Sequence, residues 1–287
     1  MTFHAPVTKP YGVAPSPYMA QGAGKGMWKG LAFIAPFQTP KGAGTSTLLD
    51  QFGHPLAGSN LTAGSTLQWR GTPYGLGVGI SGASNLLYQD DFAVLSTSDG
   101  VYTGDFSMVC LANPKAEARV SCLLGQSVAG AQPRTFLIPN PGNVSGDFSF
   151  FTGETGPGWS NIIVSGITDG RYHMFGGRKR GTDCTLWVDG TIRGSGTTSQ
   201  GCGTSAGGIA IGHQAETASD LRIATDCNIV FCAAWNRALT NFEMLLLGID
   251  PFYMFRPAPV RKVINTVAAG GTAVPVFMHH YMQQRAA

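Results

Sequence analysis

The chain has 287 residues, with 40 Gly, 17 Pro, 19 Lys+Arg against 16 Asp+Glu, and a formal net charge of +3. Gly and Pro make up about a fifth of it, against about 12% on average, and charged residues at 12% are half the usual share of roughly 25%. With 43% hydrophobic residues, no Gly-X-Y period and no apolar run of about 18 residues, the chain is not disordered, collagen-like or a helical membrane span. The basic residues are scattered, so neither a nucleic acid nor a membrane is expected as partner. The tight cluster Arg178, Lys179 and Arg180 reads as a β-turn carrying solvated charge.

Residues 1–28 are rich in Pro, Gly, Ala and Tyr and lack periodicity, which predicts an extended arm. Its aromatic residues Phe3, Tyr11, Tyr18 and Trp28 suit an arm laid across a neighbouring molecule. Met1 to Pro6 has no basic start followed by an apolar stretch, so no export leader is visible. The six cysteines are accordingly expected as reduced thiols. Cys110 and Cys232 fall in strongly apolar strands, where cysteine acts as a small buried hydrophobe. No cysteine or histidine spacing matches a zinc site.

From Lys29 onward, short apolar runs alternate with Gly, Asp, Asn and Pro, the pattern of strands and turns. The predicted strands are Leu31–Phe37, Leu76–Ile80, Phe106–Leu111, Val120–Leu124, Thr135–Ile138, Phe148–Phe151, Asn161–Val164, Tyr172–Phe175, Thr185–Val188, Ile209–Ile211 and Cys227–Trp235. The alternate glycines of Leu76–Ile80 leave one face thin, as where another backbone approaches. Asp189 and Gly190 between two apolar runs signal a two-residue hairpin turn. So many strands with almost no helix between them mean an antiparallel sandwich rather than alternating strands and helices. One short helix is predicted, capped by Thr240 with Glu243 three residues on and stopped at Gly248 and Pro251. Residues 251–287 are again irregular and apolar. They predict a second arm with Phe252, Tyr253, Phe255, Phe277, His279, His280 and Tyr281 as contact residues.

Ile167 to Phe175, followed by Cys184 to Arg193 with its Val-Asp-Gly turn, resembles the core of laminin-G-like (concanavalin A-like) jelly rolls. Asp226 to Glu243 is similar to that family's closing signature. Trp187, Asp189, Gly190, Trp235, Asn236 and Arg237 are its most specific positions. The resemblance spans residues 29–250 and implies an all-β antiparallel sandwich, a concanavalin A-like jelly roll, with one short C-terminal helix and extended terminal arms. Leu247 to Pro257 is similar to a closing stretch of tailed-bacteriophage proteins, which implies a virion structural protein.

Paired carboxylates of a glycosidase are not evident: Glu117, Glu154, Glu216 and Glu243 stand singly, and Glu243 has a capping role. Calcium is the commonest ion of the family it resembles, with Glu216 and Asp220 as the candidate ligands here and Asp169 or Asp183 after them. None matches a calcium motif, so no cofactor is expected. His173 takes a position where the resemblance implies a buried, hydrogen-bonded histidine. No nucleophile elbow or phosphate-binding loop is present. The leading expectation is a non-enzymatic bacteriophage virion protein, assembled in the host cytoplasm, that decorates or cements the capsid or sits in the tail. Its partners would be the major capsid or tail protein and copies of itself. The alternative is a glycan-binding module with an aromatic shelf, supplied by Trp159 with Asn161 or by Tyr74 with Trp69; Trp187 and Trp235 are expected in the core.

Overall fold

The computed structural model describes residues 25–36, 48–49, 55–56, 66–81, 87–88, 104–116, 122–126, 134–141, 144–153, 160–198, 209–211, 227–255, 263–264 and 276–277. A helical turn α1 (Lys25–Trp28) precedes strand β1 (Leu31–Pro36). Then come β2 (Leu48–Leu49), β3 (Pro55–Leu56), β4 (Thr66–Thr72), β5 (Gly75–Ser81), β6 (Leu87–Tyr88) and β7 (Phe106–Ala112). β8 (Leu124–Gln126), β9 (Arg134–Pro139), β10 (Asp147–Gly153), β11 (Ser160–Ser165), β12 (His173–Arg180), β13 (Asp183–Val188) and β14 (Thr191–Thr197) follow. The chain continues through β15 (Ile209–Ile211), β16 (Asn228–Trp235), helix α2 (Asn241–Ile249), a 3-10 turn (Tyr253–Phe255), β17 (Val263–Ile264) and β18 (Val276–Phe277).

The protein is an antiparallel β-sandwich. Its larger sheet runs β14-β13-β12-β7-β16-β5-β4, with β1 also paired to β16, and its smaller sheet runs β11-β10-β9-β8-β15-β6. β16 therefore has two partners on one side: β5 opposite Asn228 and Ile229, and β1 from Phe231 to Trp235. Gly77 permits that approach, since a Cβ there would crowd the Ile229 carbonyl.

Phe106, Met108 and Cys110 of β7 face the smaller sheet, where they meet Leu124, Leu137, Phe148, Phe150 and Ile162. Phe148 stacks on Phe175 with ring centres 4.0 Å apart, and Phe150 lies over Gly177, where a Cβ would strike its ring. The alternate residues Val109 and Leu111 point the other way, so all of β7 is buried. In β16 the alternation breaks: Val230 and Phe231 share the outer face while Ile229 and Cys232 share the inner one. A register shift between Ile229 and Phe231 accounts for it.

The outer face of the larger sheet carries Val109, Leu111, Met174, Trp187, Phe231 and Trp235, and α1, α2 and the 3-10 turn pack on it. Met27 of α1, Met244 and Leu247 of α2, and Met254 of the 3-10 turn are all buried there. Residues 25–28 and 251–255, expected in the arms, therefore pack on the sheet. Trp28 donates from Nε1 to the Met254 carbonyl at 2.9 Å and meets Phe255 edge to face, while Phe252 packs on Phe231. Tyr253 joins the same cluster. These four aromatics lie on the protein's own sheet because it has an apolar second face for them. Phe3, Tyr11, Tyr18, His279, His280 and Tyr281 lie outside the described residues, and of Phe277 only the β18 backbone is described.

Two further expectations change. Arg178 and Lys179 lie inside β12, not in a turn, and only Arg180 of the cluster is exposed. The Arg178 guanidinium sits 5.1 Å from the centre of the Trp187 ring and donates to the Leu239 carbonyl and Asn241 Oδ1, while Lys179 Nζ donates to the Gly181 carbonyl. Each charge has local acceptors, which lets the strand continue through it. α2 has the predicted capping box from Thr240 and Glu243, but it runs one residue past Gly248. Gly248 does not serve as a left-handed stop. It lies against the Asp189–Gly190 backbone, where a Cβ would collide. Gly248→Ala is therefore expected to destabilise the protein by about 1–3 kcal/mol in urea unfolding, whereas an exposed helix glycine replaced by alanine would stabilise it.

Candidate functional site

The β13–β14 turn, Asp189 (φ 50°) and Gly190 (φ 76°), has both central residues left-handed, as a type I′ hairpin requires. Asp189 also ties this turn to β12: Oδ1 accepts from the Met174 amide at 2.8 Å, and Oδ2 meets His173 Nδ1 at 2.6 Å. The other ring nitrogen, His173 Nε2, meets Asp169 Oδ1 at 3.2 Å. Asp169 is held in turn by the amide and guanidinium of Arg171. His173 thus bridges two loops, as a hydrogen-bonded structural histidine.

The hydrogen bond His173 donates to Asp189 raises the His173 pKa above its usual value, outweighing the opposing effect of burial, and the Asp169 carboxylate adds to it. Burial pushes the Asp169 carboxyl up, but hydrogen bonds from Arg171 and His173 prevail and hold it below the usual range. In the imidazolium both ring nitrogens donate, which matches two carboxylate partners.

Beside this bridge lies an aromatic pair. Tyr74 occupies the β4–β5 turn, where Thr72 Oγ1 accepts from the Tyr74 amide at 3.1 Å and donates to the Gly75 carbonyl at 2.9 Å. Tyr172 immediately precedes β12, after a loop fixed by the Gly170 amide donating to the Pro114 carbonyl at 2.9 Å. The two rings meet edge to face with centres 5.7 Å apart, and both side chains are partly exposed. Burial, then the charge of Asp189, raises the Tyr74 hydroxyl pKa; burial also raises that of Tyr172, outweighing the opposing effect of the Asn228 side chain. Arg70 Nη1 donates to Asn228 Oδ1 at 3.3 Å, and the Asn228 amide donates to Asn113 Oδ1 at 2.6 Å. Four elements therefore converge: β4 with its turn, the end of β7, the loop before β12 and the start of β16.

The structure distributes the sequence candidates unevenly. Trp187 (4% exposed) and Trp235 (0%) are core residues as expected. Trp235 Nε1 donates to the Met27 carbonyl, Arg237 bonds the Gly26 and Lys29 carbonyls and Glu243, and the Asn236 amide donates to the Gly30 carbonyl. Trp159, Glu216 and Asp220 lie outside the described residues, and of Trp69 only the strand backbone is described. Asn161 is exposed, with Oδ1 accepting from Ser149 Oγ at 2.6 Å. Tyr74 belongs to the site, but its described aromatic partner is Tyr172, 98 positions away in sequence and visible there only as the start of a strand. Among the described residues no group of three or more His, Cys, Asp or Glu side chains could hold a metal ion, and the oxygens of Asp169 are occupied by Arg171 and His173.

No protein-family profile matches the sequence, and no curated protein is similar to it. Solved structures do share its fold. The binding domain of Paraclostridial Mosquitocidal Protein 1 superposes with a TM-score of 0.54 at 13% identity, over 81% of this chain and 56% of that one. Domain 4 of AbnA, a GH43 extracellular arabinanase from Geobacillus stearothermophilus solved with arabinotriose, gives 0.56 at 14% identity, over 76% of this chain and 98% of that one. The ligand-binding domain of botulinum neurotoxin serotype D, in complex with N-acetylneuraminic acid, gives 0.53 at 10% identity, over 84% and 56%. The chain thus spans just over half of the two toxin structures. At these identities the likeness defines a class of fold, the β-sandwich.

Because His173 is more basic folded than unfolded, its contribution to stability is complete below about pH 6.5 and is lost as pH rises through the raised native value. Urea midpoints measured from pH 5.5 to 9 should fall over that window, and His173→Gln should remove that component of the slope.

Proposed function

We propose that this protein is a non-enzymatic glycan-binding module whose saccharide rests on the Tyr74–Tyr172 pair. The observation that carries this reading is that edge-to-face pair, partly exposed, with the Asn228 side chain and the Arg70 guanidinium that donates to it alongside. A sugar ring offers an apolar C–H face and a rim of hydroxyls. Tyrosine supplies an apolar ring with a polar tip, and amide and guanidinium groups bond the rim. The fold likeness to a domain solved with arabinotriose and to another solved with N-acetylneuraminic acid supports the reading from outside the chain.

Catalysis is not part of the proposal. Both nitrogens of His173 are engaged with carboxylates, and Asp169 is held ionised by Arg171 and His173. A glycosidase needs a carboxyl group kept protonated as general acid, and the Asp169 environment does the opposite.

The virion-protein reading takes second place. Its support is the sequence similarity of Leu247 to Pro257, where Leu247 and Met254 are buried and Phe252 and Phe255 pack on the protein's own sheet. A role as capsid or tail component, with copies of itself as partners, remains a proposal resting on that similarity.

A glycan array followed by calorimetry tests the leading reading. Binding to at least one oligosaccharide is expected, with Tyr172→Ala and Tyr74→Ala each weakening it about tenfold, equivalent to about 1.4 kcal/mol. Absence of any saccharide ligand, or binding indifferent to both substitutions, overturns it.

A further inference from the structure

We propose that Cys110 and Cys232 are a latent cross-strand disulfide, the site of a two-electron oxidation that joins the two central strands of the larger sheet. The pair plays no part in the glycan reading and does not depend on it. The two residues are direct partners in the β7–β16 register, with Sγ atoms 3.5 Å apart. Both are fully buried and both belong to the interior cluster between the sheets, so their side chains leave the same face of the sheet. Directly opposed residues of an antiparallel pair have Cα atoms about 4.5–5.5 Å apart, within the roughly 4.4–6.8 Å that a disulfide spans. Side-chain rotation can therefore close the sulfur gap to about 2.05 Å while the strands stay in register. This departs from the expectation that all six thiols remain reduced.

The oxidant is a small-molecule disulfide such as oxidised glutathione. The thiolate of one cysteine attacks it, forming a mixed disulfide and releasing one glutathione thiolate, which takes up a proton. The second cysteine gives up its proton and attacks the protein sulfur of the mixed disulfide, expelling the second glutathione. The two protein thiols lose two electrons and two protons, and the oxidant's S–S bond is reduced to two thiols. Burial pushes the Cys110 thiol well above its usual value, and the hydrogen bond with Cys232 adds to this. The folded, reduced protein thus offers little Cys110 thiolate and no access to either sulfur. The bond forms while β7 and β16 are still open, so the redox state met during folding decides whether the sheet is cross-linked. The residues are 122 positions apart, so the bond closes a long loop and restricts the unfolded chain strongly.

The test refolds the full chain from denaturant in a mixture of oxidised and reduced glutathione, and in parallel with excess dithiothreitol. Denaturing alkylation with iodoacetamide and peptide mapping then follow. In the oxidised sample Cys110 and Cys232 are expected to escape alkylation together and to appear as one linked peptide, about 2 Da lighter than the two thiol peptides combined. The melting temperature should rise by several degrees over the reduced sample. Cys232→Ala should leave Cys110 alkylated and abolish the rise. Reduced, folded protein incubated in the same glutathione mixture should stay unlinked. Oxidised samples that fold with both residues fully alkylated, or that link either one to a different cysteine, overturn the proposal. If the chain does not refold, the same mapping on protein exported to an oxidising periplasm decides, and free thiols at both positions there overturn it.

Discussion

A sheet buried on one face only would leave Val109, Leu111, Trp187, Phe231 and Trp235 in water, at about 1.5–3 kcal/mol for each large side chain. Covering that second face is the constraint on which the rest of the structure depends. Arg237 organises the cover. Its guanidinium bonds the carbonyls of Gly26 and Lys29 and both oxygens of Glu243. Glu243 in turn caps α2 by accepting from the Thr240 amide, and Thr240 accepts from the Glu243 amide. One side chain thereby fixes the chain entering β1 to the helix following β16. Burial raises the Glu243 pKa, but Arg237 and Thr240 outweigh it and hold the carboxylate ionised.

The candidate site depends on that cover through the Asp189–Gly190 turn. Gly248 of α2 lies against the turn's backbone, and Asp189 carries the turn's hold on β12 and on His173. Tyr172 is the residue next to His173, so its ring rests on a segment anchored from both sides. Tyr74 reaches it from a different strand pair, whose arginine bonds Asn228 at the start of β16. The aromatic surface stands on strand ends and a short turn, so it is preorganised, and preorganisation of that kind would favour the affinity of the proposed saccharide contact.

Local chemistry explains why much of the fold was legible in advance. The Asp189–Gly190 turn, the capping box of α2 and the strongly apolar strands β7 and β16 follow from residues within a few positions of one another. The buried Trp187 and Trp235 were readable for the same reason, as apolar residues inside strongly patterned strands. Where the local signal was ambiguous the reading failed. Three consecutive cations looked like a turn, but Arg178 found Trp187, Leu239 and Asn241, and Lys179 found the Gly181 carbonyl. Trp28 and Phe252 to Phe255 stand in stretches without strand or helix periodicity, and they meet each other and Phe231 only across long sequence separations.

The sequence by itself determined the class of the protein: its strand periodicity, turn residues and low charge admit an antiparallel sandwich and little else. Only the tertiary structure decided that Tyr74 pairs with Tyr172, that His173 sits between two carboxylates from different loops, and that the sheet's second face is covered by α1, α2 and the 3-10 turn. The physical reason is common to all three. Periodicity records which face of a strand is apolar, whereas a site needs to know which distant segment comes to lie on that face. That is settled when both faces of one sheet must be buried at once.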